Sequence, residues 1–277
     1  MIDLHAHTTA SDGTMSPNEL VILAKKHGIE AIAITDHDTV EGIPEALAAG
    51  EREGIEVIPG LELSVEHNPG SMHILGLFID HENEQLNESL REIQASRATR
   101  NPKIIEKLNE FGLNVSMEEV EKISGGGQLG RPHIAAALIK NGYVRTVQEA
   151  FDKYLKKGAS AYFERQRLTR EETVDMIHGA GGLVIIAHPG TLGVNGQQLD
   201  SLLQELKDVG FDGIEVFYNN HSQVEEDRLM QAADKFGFLI SGGTDFHGEN
   251  KPAIKIGVGY GNMAIPYEVL QEMKLSV

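Results

Sequence analysis

The chain of 277 residues contains no cysteine and no tryptophan, and aromatic residues make up only 5% of it. Without thiols, disulfides and thiolate catalysis are excluded, and any bound metal must be held by nitrogen and oxygen donors. No apolar run reaches the length of a membrane span, and no basic segment followed by an apolar stretch marks a secretory signal. A cytoplasmic protein with no membrane partner is the expectation. No Gly-x-Ser-x-Gly elbow offers a serine nucleophile. Cations are scarce as well: 24 Lys+Arg stand against 42 Asp+Glu, a formal net charge of −18. That balance argues against broad electrostatic binding to a DNA duplex. What is present is a 40% share of hydrophobic residues, enough for a sizeable core, and no low-complexity segment.

The charge is unevenly spread. Residues 86–165 hold 13 Lys+Arg against 10 Asp+Glu, whereas the remainder holds 11 against 32. The middle segment is therefore the part best suited to face an anion.

Short apolar, β-branched runs recur between amphipathic patterns. "IDL" (2–4), "EAIAIT" (30–35), "IEVIPG" (55–60), "MHILGLFI" (72–79), "GLVIIA" (182–187), "GIEVF" (213–217) and "FLISGG" (238–243) read as buried strands. Helical patterns lie between several of them, at 17–27, 42–53, 169–179, 198–209 and 222–235. The first starts at Ser16-Pro17 and stops at Gly28, the usual end signals. Strand–helix alternation with near-continuous apolar strands predicts an α/β fold built on a parallel sheet covered on both faces. Seven such units suit a closed or nearly closed barrel. Residues 86–165 break the rhythm: helical patterns at 84–110, 116–123, 132–141 and 146–157 are punctuated by "SGGGQLGRP" (124–132). The segment reads as a helical insertion between two barrel parts, 1–85 and 166–277.

The histidines and acids fall at particular places on this map. His5, His7 and Asp12 follow "IDL", and Asp36 and His37 follow "AIAIT". Glu62 follows "VIPGL", His73 begins "HILGLFI", His188 follows "LVIIA", and Asp245 and His247 follow "ISGGT". In a parallel barrel the strand ends share one face, where barrel enzymes build their sites. A lone His-x-His is commonly a solvated pair, but the joint pattern is hard to obtain by accident. His27, His67, His81 and His178 lie in helices or polar loops and read as surface residues. His221, in "YNNHS" after a strand, is open to either reading.

The motifs "HAHTTASDG", "TDHD", "GLELS", "MHILG", "AHPG" and "TDFHG", taken in that order, resemble those of the polymerase and histidinol phosphatase (PHP) family, over 1–85 and 166–277. "GRPHIAAALI" and the helical insertion further resemble the subgroup that dephosphorylates 3′,5′-nucleotide bisphosphates, some members of which trim short RNAs from the 5′ end. The resemblance implies a distorted seven-stranded (β/α) barrel with a trinuclear metal site. One divalent ion would be held by His5, His7, Glu62 and Asp245, a second by Glu62, His73 and His188, and a third by Asp12, His37 and His247. The family often has histidine where this chain has Asp12, and either side chain binds a divalent ion. The resemblance favours Mn²⁺, and mixed nitrogen and oxygen ligation also suits Fe or Zn.

Six neutral imidazoles and three carboxylates become net positive once three divalent ions are bound, so an acidic protein can still attract phosphate there. Metal lowers the pKa of bound water to roughly 7, and the expected reaction is in-line attack of that hydroxide on a phosphomonoester. Arg131 and His133 of "GRPH" are candidates to hold a substrate phosphate or to protonate the leaving oxygen. Their plainer reading is an Arg that caps loop carbonyls and a His in the first turn of a helix. Lys140 is a candidate for a second phosphate, with Arg97 and Arg100 behind it. The expected substrate is a nucleotide bisphosphate, such as adenosine 3′,5′-bisphosphate giving AMP, or a short RNA 5′ end. Histidinol phosphate is the alternative substrate, and a non-catalytic nucleotide-binding module is the alternative of another class.

Overall fold

The computed structural model describes residues 1–125, 129–164 and 167–277; the Arg97 side chain lies outside the described residues. Seven strands form one sheet in sequence order: β1 (Ile2–Asp3), β2 (Ala31–Ile34), β3 (Glu56–Val65), β4 (Met72–Leu77), β5 (Leu183–Ala187), β6 (Gly213–Tyr218) and β7 (Leu239–Gly243). The sheet curls until its edges meet. Leu4 N–H donates to Gly242 O at 3.1 Å, and Ala6 bridges Phe246 in parallel. The result is a nearly closed barrel, an arrangement that leaves little exposed strand edge.

Helices α1 (Pro17–Lys26) and α2 (Ile43–Glu53) cover the first strands, and α7 (Arg170–Gly179), α8 (Gly196–Val209) and α9 (Gln223–Phe236) cover the later ones. Between these two sets stand α3 (Glu84–Glu110), α4 (Met117–Ser124), α5 (Arg131–Lys140) and α6 (Val147–Ala150). α10 (Tyr267–Lys274) ends the chain. Local chemistry sets the helix starts. Ser16 Oγ accepts from Glu19 N–H while Glu19 accepts from Ser16 N–H, a reciprocal cap preceding Pro17. Thr169 with Glu172, and Ser222 with Glu225, repeat the device for α7 and α9.

Alternate residues of the strands divide the core. Val184, Ile186, Ile214 and Val216 pack outward with Leu203, Leu206 and Leu229 of α8 and α9. Leu75, Leu77, Ile185 and Ala187 pack with Ile2, Leu4, Ile265, Leu270 and Met273, so α10 and the segment before it plug one end of the barrel. The plug leaves the other end for a site. A separate apolar cluster joins Ile104, Leu108, Val120, Ile134, Leu138, Ala150 and Leu155. α3 belongs to both layers, since its Leu86 and Leu90 pack with the barrel helices while Ile104 and Leu108 join the second cluster.

Two expectations need correction. The sheet is not wholly parallel: β4 runs antiparallel to both β3 and β5. A buried strand's apolar run carries no direction, and antiparallel pairing also lengthens β3 as far as Val65, which places Glu62 within the strand. The helix expected over 146–157 is a short α turn followed by a π turn, Phe151–Leu155, in which Lys156 N–H reaches back to Phe151 O. Such π turns cluster at functional sites. α10 lies beyond the helical patterns legible in the sequence.

Candidate metal centre

Six of the seven strands send their C-terminal ends to the unplugged face. β4, being reversed, presents its first residues there instead, so His73 at its start joins the others. The structure brings together all nine of His5, His7, Asp12, His37, Glu62, His73, His188, Asp245 and His247. They form overlapping groups whose ligand atoms lie within 4.8 Å of one another: His7–Asp12–His37–His247, His5–His7–Asp245, His5–Glu62–His188 and His37–Glu62–His73.

Glu62 is the hub. Its Oε1 lies 2.7 Å from His73 Nδ1 and 3.0 Å from His188 Nε2. Its Oε2 lies 3.1 Å from His37 Nδ1, 3.2 Å from His7 Nε2 and 3.5 Å from His5 Nε2. Asp245 Oδ1 is a second focus, 3.4 Å from His7 Nε2 and 3.3 Å from His247 Nδ1. Asp12 Oδ1 lies 3.2 Å from His247 Nε2. His188 and Asp245 are held at positive φ, 27° and 52°, unusual for residues with side chains and a mark of local strain at a working site.

Buried polar atoms normally find partners, yet His5 Nε2, His7 Nε2, His37 Nδ1 and Glu62 Oε2 have none. All four meet at one point. Nitrogen lone pairs and carboxylate oxygens converging without hydrogen-bond partners are what a divalent cation would satisfy, so the donor set fits a metal. The electrostatics agree. Burial alone would lower the His7 pKa, but the carboxylates of Asp245 and Glu62 beside it raise it to about 9. For His37 burial wins and takes it down to about 3. Burial works against ionising Asp245, but the Lys251 ammonium, then His247 and His5, hold its carboxyl well below the usual range.

The surrounding shell contains residues that the motifs did not assign. Asp36 accepts from Thr8 N–H at 2.7 Å, Thr8 Oγ1 at 2.6 Å and Ser11 Oγ at 2.5 Å, which folds "HTTASDG" back over the barrel mouth. Asp3 accepts from Thr244 N–H and Oγ1 and from Gly257 N–H, tying β1 to the loop after β7. Tyr218 Oη and Lys251 Nζ both donate to Asp245 Oδ2, at 3.1 and 2.6 Å. Glu215 accepts from His5 Nδ1 at 2.9 Å. A carboxylate inside the apolar run "GIEVF" was its available signal.

Asp12, His37 and His73 open onto a cavity of about 450 Å³ also lined by Arg100, Arg131, Phe151, Lys156, Lys157, Tyr162 and Arg167. Arg131 packs over the Phe151 and Tyr162 rings, and its Nη1 donates to Leu155 O at 2.8 Å. The other candidates from the middle segment stand elsewhere. His133 is 4% exposed, and its Nδ1 accepts from Gly130 N–H at 3.1 Å; it caps its own helix and is not among the described lining residues. Lys140 sits at the far end of α5, paired with Glu119 at 3.3 Å, because one face of a ten-residue helix cannot bring both ends to one mouth. His221 is buried with Nδ1 on Val216 O, outside this cavity. His67 is half-buried rather than a surface residue, bonded to Leu192 O and Arg170.

No helix among the described residues is long and apolar enough to cross a membrane. A profile of the PHP domain matches residues 3–168. The chain is 35% identical over 245 residues to a 5′-3′ exoribonuclease of Haemophilus influenzae, covering 88% of this chain and 89% of that protein. It is 32% identical over 257 residues to the 3′,5′-nucleoside bisphosphate phosphatase of Chromobacterium violaceum, covering 92% and 90%. Among solved structures, a protein of Bifidobacterium adolescentis assigned as a metal-dependent phosphoesterase superposes with a TM-score of 0.86 at 30% identity, over 99% of this chain and 95% of that one. With the convergent imidazoles and carboxylates, these likenesses establish that this chain belongs to the PHP family of metal-dependent phosphoesterases.

Proposed function

We propose that the protein removes a phosphate from 3′,5′-nucleotide bisphosphates, such as adenosine 3′,5′-bisphosphate, with three divalent ions, Mn²⁺ by preference, held by the nine clustered residues. His5, His7, Glu62 and Asp245 would hold one, Glu62, His73 and His188 a second, and Asp12, His37 and His247 a third. Bound ions supply a water of lowered pKa and neutralise charge on the phosphoryl oxygens. The chain's own residues then position the substrate.

One observation carries the substrate class. The cavity beside the cluster is lined by Arg100, Arg131, Lys156, Lys157 and Arg167, with Asp12 the only carboxylate among its described lining residues. That cationic lining suits a substrate that carries a second phosphate beside the one engaged at the metal ligands. Histidinol phosphate brings an ammonium group instead and would be repelled. Arg131, fixed by two rings and a carbonyl, is the residue best placed to fork a phosphate. The names of the relatives agree, since they act on bisphosphates or on RNA 5′ ends.

A second cavity of about 540 Å³ adjoins the first through Lys157 and Arg167. It favours trimming of short RNA as a further activity, with room for the next nucleotide. The test is phosphate release with Mn²⁺ from adenosine 3′,5′-bisphosphate and from histidinol phosphate, alongside mononucleotide release from a short 5′-phosphorylated RNA. Preference for histidinol phosphate would overturn the reading, and nucleotide binding without turnover would indicate a non-catalytic module.

A further inference from the structure

Glu215 lies in β6 with no exposed surface. Its neighbours Ile214 and Val216 pack outward against the helices, so its carboxylate is on the inward face beneath the metal centre. A carboxylate in such a place is strongly disfavoured unless both oxygens are satisfied. Among the described residues no Lys or Arg pairs with it. Its partners are His5 Nδ1, 2.9 Å from Oε1, and the backbone N–H of His188, which donates to Oε2 at 2.6 Å. The register between β6 and β7 shifts between Glu215 and Phe217. Such bulges re-aim a side chain next to an active site.

We infer that Glu215 is a positioning residue that prepares two metal ligands from different strands at once, an inference that rests on the metal reading above. His5 can ligate through Nε2 only if its remaining proton sits on Nδ1, and Glu215 Oε1 is the acceptor for that proton. Nε2 then faces Glu62 Oε2 and Asp245 Oδ1, at 3.5 and 3.7 Å, where it has no hydrogen-bond partner. The other oxygen holds the His188 backbone in its strained conformation, φ 27°, and that conformation directs His188 Nε2 to 3.0 Å from Glu62 Oε1. One carboxylate fixes the ring proton of one ligand and the backbone of the other.

Glu215→Gln tests the assignment at nearly constant shape. The His188 N–H can only donate, so the amide oxygen must turn to it, and the amide NH₂ is left facing His5 Nδ1–H. Two donors then oppose each other whenever His5 ligates. Zinc, a diamagnetic divalent ion, is titrated into metal-free wild type and E215Q, with circular dichroism to verify folding. Affinity is expected to fall about 10–100-fold in E215Q, the usual cost of losing such a partner. Proton–nitrogen NMR of the zinc-loaded wild type is expected to show a hydrogen-bonded His5 Nδ1–H. Wild-type zinc affinity in folded E215Q overturns the inference. Should E215Q not fold, a zinc-loaded wild type lacking that His5 Nδ1–H overturns it instead. Failure of the wild type itself to bind zinc overturns the metal reading, and so the two failures are distinguishable.

Discussion

At the scale of single residues, Asp245 shows how ligand and support divide the labour. Its Oδ1 faces His7 and His247, while Oδ2 is taken by Tyr218 and Lys251. Asp245→Ala should abolish phosphate release and lower metal content while far-UV circular dichroism is retained; full activity in that variant would contradict the metal reading. Arg131→Gln removes a charge-assisted contact worth about 1.5–3 kcal/mol. It should lower kcat/KM for adenosine 3′,5′-bisphosphate by about 10–100-fold and leave metal content unchanged, as measured by initial rates and elemental analysis. The pH dependence follows from His7. In the metal-free protein its pKa is raised to about 9, so the stability it contributes is complete below about 6.5 and is lost as pH rises through about 9. A divalent ion must displace that proton. Melting of metal-free protein should therefore fall between those pH values, while the apparent metal affinity rises.

Much of this residue-level chemistry was legible in the sequence, because acids and histidines placed next to strand ends need no long-range information to be noticed. Glu215 and Lys251 carry no such signal, and Asp36, though it stands beside His37, turns out to hold the first loop rather than to join the cluster. The roles of Glu215 and Asp36 exist only through contacts between residues far apart in the chain, such as Glu215 with His5, and that of Lys251 through the turn that brings it back onto Asp245. The roles considered for His133 and Lys140 could not be separated from helix capping and a surface ion pair without knowing how α5 is directed.

At the scale of elements, apolar periodicity located the strands and most helices, since burial on two faces dictates composition. It could not reveal that β4 runs antiparallel, a fact decisive for His73: in a parallel strand the first residue would lie at the plugged end. The π turn at Phe151–Leu155 was equally hidden, though it carries Phe151 to the cavity and leads into Lys156. Plug and metal centre occupy opposite ends of the barrel, so they should separate under mutation. Leu270→Ala in α10, fully buried in the wild type, should cost about 2–5 kcal/mol in denaturant unfolding and leave the metal stoichiometry of the folded protein unchanged.

At the scale of the whole molecule, a net charge of −18 coexists with a phosphate-binding role because charge is arranged locally. Arg100, Arg131, Lys156 and Lys157 of the cavity come from residues 86–165, the stretch whose sequence departs from the acidic remainder, and Arg167 lies just beyond it. The clustered residues come from β3 and β4 and from just beyond β1, β2, β5 and β7, so ions held there would cross-link most of the barrel. A ligand that binds only the folded state stabilises it by about 2.7 kcal/mol at a hundredfold excess over its Kd. Chelation should therefore lower Tm by at least about 5 °C, a shift readable by calorimetry.

The convergence of nine metal-competent side chains on a point crowded with unpartnered donor atoms is the centre of this account. Elemental analysis of the protein purified without added metal tests it most directly. The account predicts close to three divalent ions per chain, with manganese foremost, and loss of phosphate release when they are stripped. One ion or fewer per chain in fully active protein would contradict it.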